Sequence, residues 1–144
     1  MIYTEMTIKA MKIAYDAHLG QLDYNGVPYI FHPYHLAEQM DDEISCTVAL
    51  LHDVVEDTSI TFADLEQMFP KQVVEIIMLL THDEKVDYFE YIRKIKTNAI
   101  ATKVKLADIK HNSNEARSLG SNLTKEQLLY WKEKYAKAKE ILLQ

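Results

Sequence analysis

Glycine and proline are scarce in this sequence: each occurs only three times in 144 residues. Because these residues form most hairpin turns and flexible linkers, their scarcity favours a fold built from long helices. Cysteine occurs once, as Cys46, which excludes an internal disulfide and suits a reducing compartment. With 48% hydrophobic and 26% charged residues, the chain is expected to fold as one globular domain over residues 1–144.

The sequence lacks three further features, and their absence restricts the partners that the protein can have. No apolar run approaches the roughly 20 residues of a membrane span, and the N-terminal stretch has no continuous apolar core like that of a signal peptide. The net charge of −6 argues against nucleic acid, whose binding normally needs a basic face. We therefore expect a cytoplasmic protein whose partners include neither membranes nor nucleic acid.

Apolar side chains recur at helical spacing along the chain and predict an all-α fold, a compact bundle of several helices. The predicted helices cover 4–19, a segment that starts at Pro33, 44–55, 61–69, 70–80, 88–95, 98–112 and 124 to the end. Pro33 suits the first position of its helix, which puts His32 just before it, near the N-cap. The last helix carries an apolar stripe from Leu128 to Leu142, which indicates either ordinary packing or the seam of a homodimer.

The segment CTVALLHDVVEDT, residues 46–58, combines an apolar helix with charged groups. A helix this apolar is normally buried on all sides, yet it contains His52, Asp53, Glu56 and Asp57. Spacings of four place these side chains on adjoining parts of one helical face. Carboxylates so close together repel one another and resist desolvation, and a bound cation removes both penalties. The alternative is a solvated helix end, although the helix dipole disfavours acidic residues there.

Asp108 is a second unexpected charge, in the segment IATKVKLADIKHN at residues 100–112. Ile100 and Val104 define an inner stripe at spacing four, and Asp108 is its next position. A buried Asp needs a partner or an ion. Lys105, one turn earlier, offers an ordinary salt bridge as the alternative to a metal.

Together with the upstream His32, these residues form a set of two histidines and two aspartates that could bind one metal between helices. Imidazole and carboxylate ligands suit Mn²⁺ or Fe²⁺, with Zn²⁺ as a further candidate. Four protein ligands leave positions on an octahedral ion for water and a phosphate oxygen. That arrangement predicts metal-assisted hydrolysis of a phosphorylated substrate.

Four stretches of the sequence resemble the HD superfamily, and more closely the hydrolase domains of the RelA/SpoT type, including the small stand-alone alarmone hydrolases. They are AHLGQ (17–21), GVPYIFHP (26–33), ALLHDVVEDT (49–58) and VKLADIKHN (104–112), and they stand in the family order. The resemblance implies an all-α fold and one metal, usually Mn²⁺. By position, the residues that match the family's ligands are His32, His52, Asp53 and Asp108.

The same resemblance implies roles for residues around the metal. Glu56 and Asp57 match the acidic pair that orients and deprotonates the attacking water, and Asn112 matches a residue that lines the substrate pocket. Lys105 could hold a substrate phosphate or pair with a carboxylate. Tyr135 is a candidate to reach the site from the last helix, with ordinary packing as the alternative.

The chain departs from the alarmone hydrolases at the residues that contact the nucleotide. Asp23 and Tyr24 stand where those proteins typically carry an Arg-Lys pair, and LADIKHNSNE (106–115) lacks two of their further arginines. Asp23 is expected to repel phosphate, whereas Tyr24 can stack on a base but supplies no charge. We therefore predict weak alarmone hydrolysis and better activity on a less charged nucleotide.

The predicted function is metal-dependent hydrolysis of a small phosphorylated nucleotide, similar to the guanosine 3′,5′-bis(diphosphate) 3′-pyrophosphohydrolase reaction. One alternative is a non-catalytic nucleotide-binding or regulatory module that keeps the fold. Another is a nucleotidase or phosphodiesterase of the HD type that acts on a different phosphorylated small molecule. The presence of all four ligands and of the acidic pair favours an enzyme, since a purely binding descendant does not need them.

Overall fold

The computed structural model describes residues 1–144, and its regular structure is helical, as the sequence predicts. The elements in chain order are α1 (Glu5–Ala17), α2 (Phe31–Glu38), α3 (Glu43–Leu51), α4 (Val54–Asp57), α5 (Phe62–Glu66), α6 (Lys71–Leu80), α7 (Tyr88–Ile95), α8 (Ala99–Asn112), a 3₁₀ turn (Glu115–Ser118) and α9 (Lys125–Leu143). None of these helices combines the length and the apolar character that crossing a membrane requires.

Side chains that cap the helix N-termini explain where several helices begin. Thr4, Thr61 and Thr124 each accept a hydrogen bond from the third residue of the following helix, whose own side chain accepts one from the threonine amide. Asp42 and Asn98 cap α3 and α8 in the simpler one-way manner. These contacts satisfy amide groups that would otherwise lack partners at a helix start. The side chains of Asp64 and Gln127 complete the capping boxes at Thr61 and Thr124.

Helix α3 is the centre of the core. Residues 45–51 are all buried, and α3 packs against α1, α2, α6 and α8. The 27 buried apolar residues of the protein form one continuous cluster around it. A residue at the C-terminal end of α3 is therefore held by helices on several sides.

The long helix predicted over residues 44–55 is interrupted at His52 and Asp53. Helix α3 ends at Leu51, His52 and Asp53 form a turn, and the short α4 follows. The His52 ring donates to the Ala49 carbonyl, which an uninterrupted helix would pair with the Asp53 amide. This local competition for a backbone acceptor accounts for the break.

The predicted position of His32 before its helix is also wrong. Helix α2 begins at Phe31, so that His32 and Pro33 lie inside its first turn. Proline is tolerated there because amide groups of the first turn have no partner within the helix. His32 is consequently held by a helix rather than by a loop.

Helix α9 completes the fold by packing against α7 and α8. Its buried residues are Ala138, Ile141 and Leu142, whereas Trp131 and Tyr135 on the same side are half-buried. The apolar stripe predicted for the last helix therefore faces this protein's own core over its C-terminal half.

We expect Leu51→Ala to lower the free energy of unfolding by about 2–5 kcal/mol, because it removes a large side chain from a closely packed interior. Leu51 is fully buried directly before the turn at His52. Urea denaturation followed by circular dichroism measures the change. Leu143→Ala is the matched control, since Leu143 is 62% exposed. Equal losses in the two variants would contradict the assignment of α3 as the centre of the core.

Candidate metal centre and its cleft

Four side chains converge where α2, α3 and α8 pack together. His32 lies in the first turn of α2, His52 and Asp53 form the turn after α3, and Asp108 lies in α8. His32 Nε2 is 2.9 Å from Asp108 Oδ1, and His52 Nε2 is 2.9 Å from Asp53 Oδ2. The cross distances, His32 Nε2 to Asp53 Oδ2 and His52 Nε2 to Asp108 Oδ1, are 3.9 and 3.8 Å. The structure thus brings all four predicted metal ligands to one point.

The second nitrogen of each imidazole fixes the orientation of its ring. His52 Nδ1 lies 2.6 Å from the Ala49 carbonyl oxygen, and because a carbonyl only accepts, Nδ1 carries the proton. The lone pair of the neutral ring is then on Nε2, which is buried without a hydrogen-bond partner. His32 Nδ1 lies 2.7 Å from His111 Nδ1, and the two rings are stacked. Both histidines therefore direct Nε2 toward the carboxylates.

These four residues fit a divalent cation better than they fit one another. If the His52 ring were neutral, its Nε2 lone pair would face the negative carboxylate of Asp53, so this contact is favourable only with a proton or a cation between them. Burial lowers the pKa of His52, but the charges of Asp53 and Asp108 outweigh it and raise that pKa well above its usual value. The site therefore attracts positive charge. Two imidazole nitrogens and two carboxylate oxygens suit a divalent transition metal.

Three further side chains hold the two carboxylates in place. The Tyr29 hydroxyl donates to Asp53 Oδ2. Lys105 Nζ lies 2.8 Å from Asp108 Oδ2, and Asn112 Nδ2 donates to Asp108 Oδ1 at 3.0 Å. Lys105 thus pairs with a carboxylate, one of the two roles that the sequence leaves open, and Asn112 faces the same cavity. Such partners of metal ligands commonly set their orientation and basicity.

The acidic pair lies at the solvent-exposed edge of this cluster. Oxygen atoms of Asp53, Glu56 and Asp57 lie within 4.8 Å of one another. Glu56 Oε1 accepts a hydrogen bond of 2.7 Å from the His82 amide. Burial, followed by the charges of Asp53 and Glu56, raises the pKa of Asp57 to about 6. Burial also raises the pKa of Glu56. Crowded carboxylates of this kind hold a proton more tightly than isolated ones.

The loop between α1 and α2 does not present Asp23 as the sequence predicts. Asp23 Oδ1 accepts from the amides of Asn25 and Val27, and Asp23 Oδ2 lies 3.8 Å from Arg117 Nη2. The carboxylate therefore shapes its own loop and is partly neutralised, rather than standing free to repel phosphate. Tyr24 is 68% exposed, and its ring centroid lies 5.1 Å from that of Trp131 on α9. The structure thus places Tyr24 outside the metal cluster, against Trp131 of α9.

Tyr135, a candidate from the sequence, and His35 lie near the site without contacting the four ligands directly. Tyr135 is half-buried on α9, and burial, followed by the charge of Asp108, raises its pKa to about 12. His35 is exposed and stacks on His111, with ring centroids 4.1 Å apart. His35 therefore lies behind His32 and does not join the ligand set.

Sequence reasoning missed the parts played by Tyr29, His82 and Arg117. Tyr29 belongs to the GVPYIFHP stretch, so its spacing from His32 indicated that it was close to the site. Its contact with Asp53 joins residues 24 positions apart. His82 acts through its backbone amide, which no side-chain pattern reveals. Arg117 follows α8 and reaches back to the loop between α1 and α2.

Comparison with known proteins gives one family and several relatives. A family model described as HD domain matches residues 10–116. The bifunctional (p)ppGpp synthase/hydrolase SpoT of Escherichia coli strain K12 is 39% identical over 128 residues, which cover 78% of this chain and 18% of that protein. The guanosine-3′,5′-bis(diphosphate) 3′-pyrophosphohydrolase of Vibrio cholerae is 42% identical over 82 residues, covering 51% and 12%. The chain thus spans less than a fifth of these curated relatives.

A solved structure resembles the whole chain. It is described as a metazoan ortholog of SpoT that hydrolyzes ppGpp and plays a role in starvation responses. The TM-score is 0.79 at 26% sequence identity, and the match covers 99% of this chain and 88% of that one. The arrangement of helices therefore corresponds over nearly the full length of both chains.

We expect the purified protein to bind about one equivalent of a divalent transition metal, and His52→Ala or Asp53→Ala to abolish this binding by removing a ligand. Tyr29→Phe should weaken metal affinity by about 10–100-fold, because it removes only the hydroxyl that orients Asp53. Elemental analysis after dialysis and titration with a competing chelator measure both effects. His35→Ala is the control. Full metal occupancy in the two ligand variants would show that the metal binds elsewhere.

Proposed function

Because the chain belongs to the HD domain family, we propose that it is a metal-dependent phosphohydrolase that acts on a small phosphorylated nucleotide, in a reaction similar to that of the guanosine 3′,5′-bis(diphosphate) 3′-pyrophosphohydrolases. The observation that carries this proposal is the convergence of His32, His52, Asp53 and Asp108 beside an exposed acidic pair. The relatives named for (p)ppGpp hydrolysis support the choice of substrate class. Since the buried apolar residues form one cluster, we assign the activity to a single domain over residues 1–144.

The proposed cofactor is one Mn²⁺ ion, with Fe²⁺ and Zn²⁺ as alternatives that the same donors accept. His32, His52, Asp53 and Asp108 would hold it. A divalent metal there supplies Lewis-acid polarisation of a phosphoryl oxygen and makes a water molecule more acidic. Lys105 and Asn112 keep Asp108 in its position, while Tyr29 does the same for Asp53.

Glu56 and Asp57 are proposed to orient the attacking water and to take its proton. Both side chains are exposed at the edge of the cluster, where water and substrate can reach them. The His82 amide holds one Glu56 oxygen and leaves the other available. A general base works best when its pKa lies near the working pH. Without a metal, burial and then the charges of Asp53 and Glu56 raise the pKa of Asp57 to about 6, above that of an ordinary carboxyl group.

We expect Glu56→Gln and Asp57→Asn to keep the metal but to lose about 100-fold or more of kcat, because an amide cannot accept the proton of water. Steady-state hydrolysis with matched metal analysis separates the two effects. Glu66→Gln, an exposed acid on α5, is a suitable control. If both variants turn over substrate at the wild-type rate, the acidic pair has another role.

We expect weak hydrolysis of guanosine tetraphosphate and faster hydrolysis of nucleotides with fewer phosphates. The loop between α1 and α2 contains no lysine or arginine, and Arg117, which reaches this loop from the turn after α8, pairs with Asp23. A phosphate-release assay with Mn²⁺ across a panel of phosphorylated nucleotides measures this preference. Tyr24→Lys should raise kcat/KM for the tetraphosphate about tenfold through one charge-assisted bond. Tyr15→Lys, at an exposed position of α1, should leave this kcat/KM unchanged. Efficient hydrolysis of the tetraphosphate by the unmodified protein would refute this expectation.

A further inference from the structure

Lys134 is a half-buried lysine that has no acidic partner. Its Nζ lies 4.1 Å from the centroid of the Tyr88 ring, and it forms none of the protein's salt bridges. Burial, followed by the charge of Lys105, lowers the pKa of Lys134. Two ammonium groups thus act on each other in a poorly hydrated space. An arrangement of this kind attracts an anion.

The Tyr88 hydroxyl provides an independent indication of a missing ligand. It is buried and has no hydrogen-bond partner. A buried donor without an acceptor costs free energy that a protein does not usually leave uncompensated. Lys134 Nζ lies over this same ring, 4.1 Å from its centroid. Neither residue is used by the proposed hydrolytic machinery.

Ring and charge contacts connect Lys134 and Tyr88 with the metal ligands. The ring centroids of Tyr88 and Tyr91 lie 5.8 Å apart. Lys105 Nζ lies 5.4 Å from the Tyr91 centroid. Lys105 in turn contacts Asp108 at 2.8 Å. On its other side, the Tyr88 ring packs edge-on against the His82 ring. The His82 backbone amide donates a hydrogen bond to Glu56. The charges of Lys105, Asp108 and Glu56 act on the Tyr88 hydroxyl, so Tyr88 lies close to the predicted ligand Asp108 and to the acidic pair.

Simple packing of a lysine on an aromatic ring does not account for these features. Lys137, one turn further along α9, makes that contact with Phe89 at 4.2 Å. Lys137 is exposed, and Phe89 carries no hydroxyl. The two pairs share their geometry, but only the Lys134–Tyr88 pair combines a half-buried ammonium group with an unpartnered donor. The Lys137–Phe89 pair therefore serves as a control, within the same protein, for the Lys134–Tyr88 pair.

We propose that Lys134 and the Tyr88 hydroxyl bind the second phosphate of a diphosphate group whose first phosphate lies at the metal. This assignment of the ligand as substrate rests on the proposed function. Lys134 lies outside residues 10–116, which the family model matches, so membership of the family does not assign it a role. The ligand class is a terminal or bridging diphosphate, for which one lysine and one phenol supply charge-assisted bonds.

Calorimetric titration of the metal-loaded protein with methylenediphosphonate and methylphosphonate tests this site without turnover. The wild type should bind the diphosphonate at least about tenfold more tightly. Lys134→Met, which keeps the aliphatic stem, should reduce that preference about tenfold, and Tyr88→Phe by a smaller factor. Lys137→Met should retain the wild-type ratio. Metal analysis after each titration checks that the diphosphonate has not removed the ion.

A wild-type protein with no preference for the diphosphonate would overturn the proposal, as would an unchanged preference in Lys134→Met or an equal loss in Lys137→Met. Retention of the full preference in Tyr88→Phe would remove the hydroxyl from the site and overturn the proposal in its stated form. Because these titrations need no hydrolysis, they fail independently of the proposed function. A protein that hydrolyses nucleotides but shows no diphosphonate preference keeps its activity assignment and loses only this site.

Discussion

Two carboxylates, Asp53 and Asp108, lie beside two imidazoles at the junction of three packed helices, and their negative charge constrains the surrounding structure. Lys105 compensates part of that charge through its contact with Asp108. The remainder requires a proton on a histidine or a divalent cation, since an isolated charge is costly in a buried space. Helices α2, α3 and α8 must therefore keep their relative positions for the site to exist. The buried apolar surface around α3 supplies the packing that maintains them.

The six residues that follow Leu51 carry acidic groups of two kinds, one that faces inward and one that faces solvent. His52 and Asp53 turn inward, whereas Glu56 and Asp57 on α4 reach the exposed edge of the same cluster. The inner carboxylate lies among positive and hydrogen-bonding groups, which stabilise its charged form. Burial, and then the like charges nearby, raise the pKa values of the outer pair. One short segment thus combines groups suited to bind a cation with groups suited to accept a proton.

Helix α9 packs against α7 and α8, the second of which carries Asp108. Through Trp131 it contacts the loop that carries Tyr24, and through Lys134 it contacts the tyrosine-rich helix α7. The family model ends at residue 116, before this helix begins. The matched part of the chain contains the four predicted ligands and the acidic pair. The groups that α9 adds differ from these in chemistry, being aromatic rings and ammonium groups rather than imidazoles and carboxylates.

The sequence by itself determined the all-α class, the approximate helix bounds and the grouping of His32, His52, Asp53 and Asp108, because charged residues in otherwise apolar helices are locally recognisable. The break at His52 is local in origin, since the ring hydrogen-bonds to the Ala49 carbonyl three residues earlier, but hydrophobic periodicity does not indicate it. Only the tertiary structure decided the contact of Tyr29 with Asp53, the pairing of Asp23 with Arg117, and the position of Lys134 beside Tyr88. These contacts join residues distant in sequence, and no periodicity records which distant side chains the packing brings together.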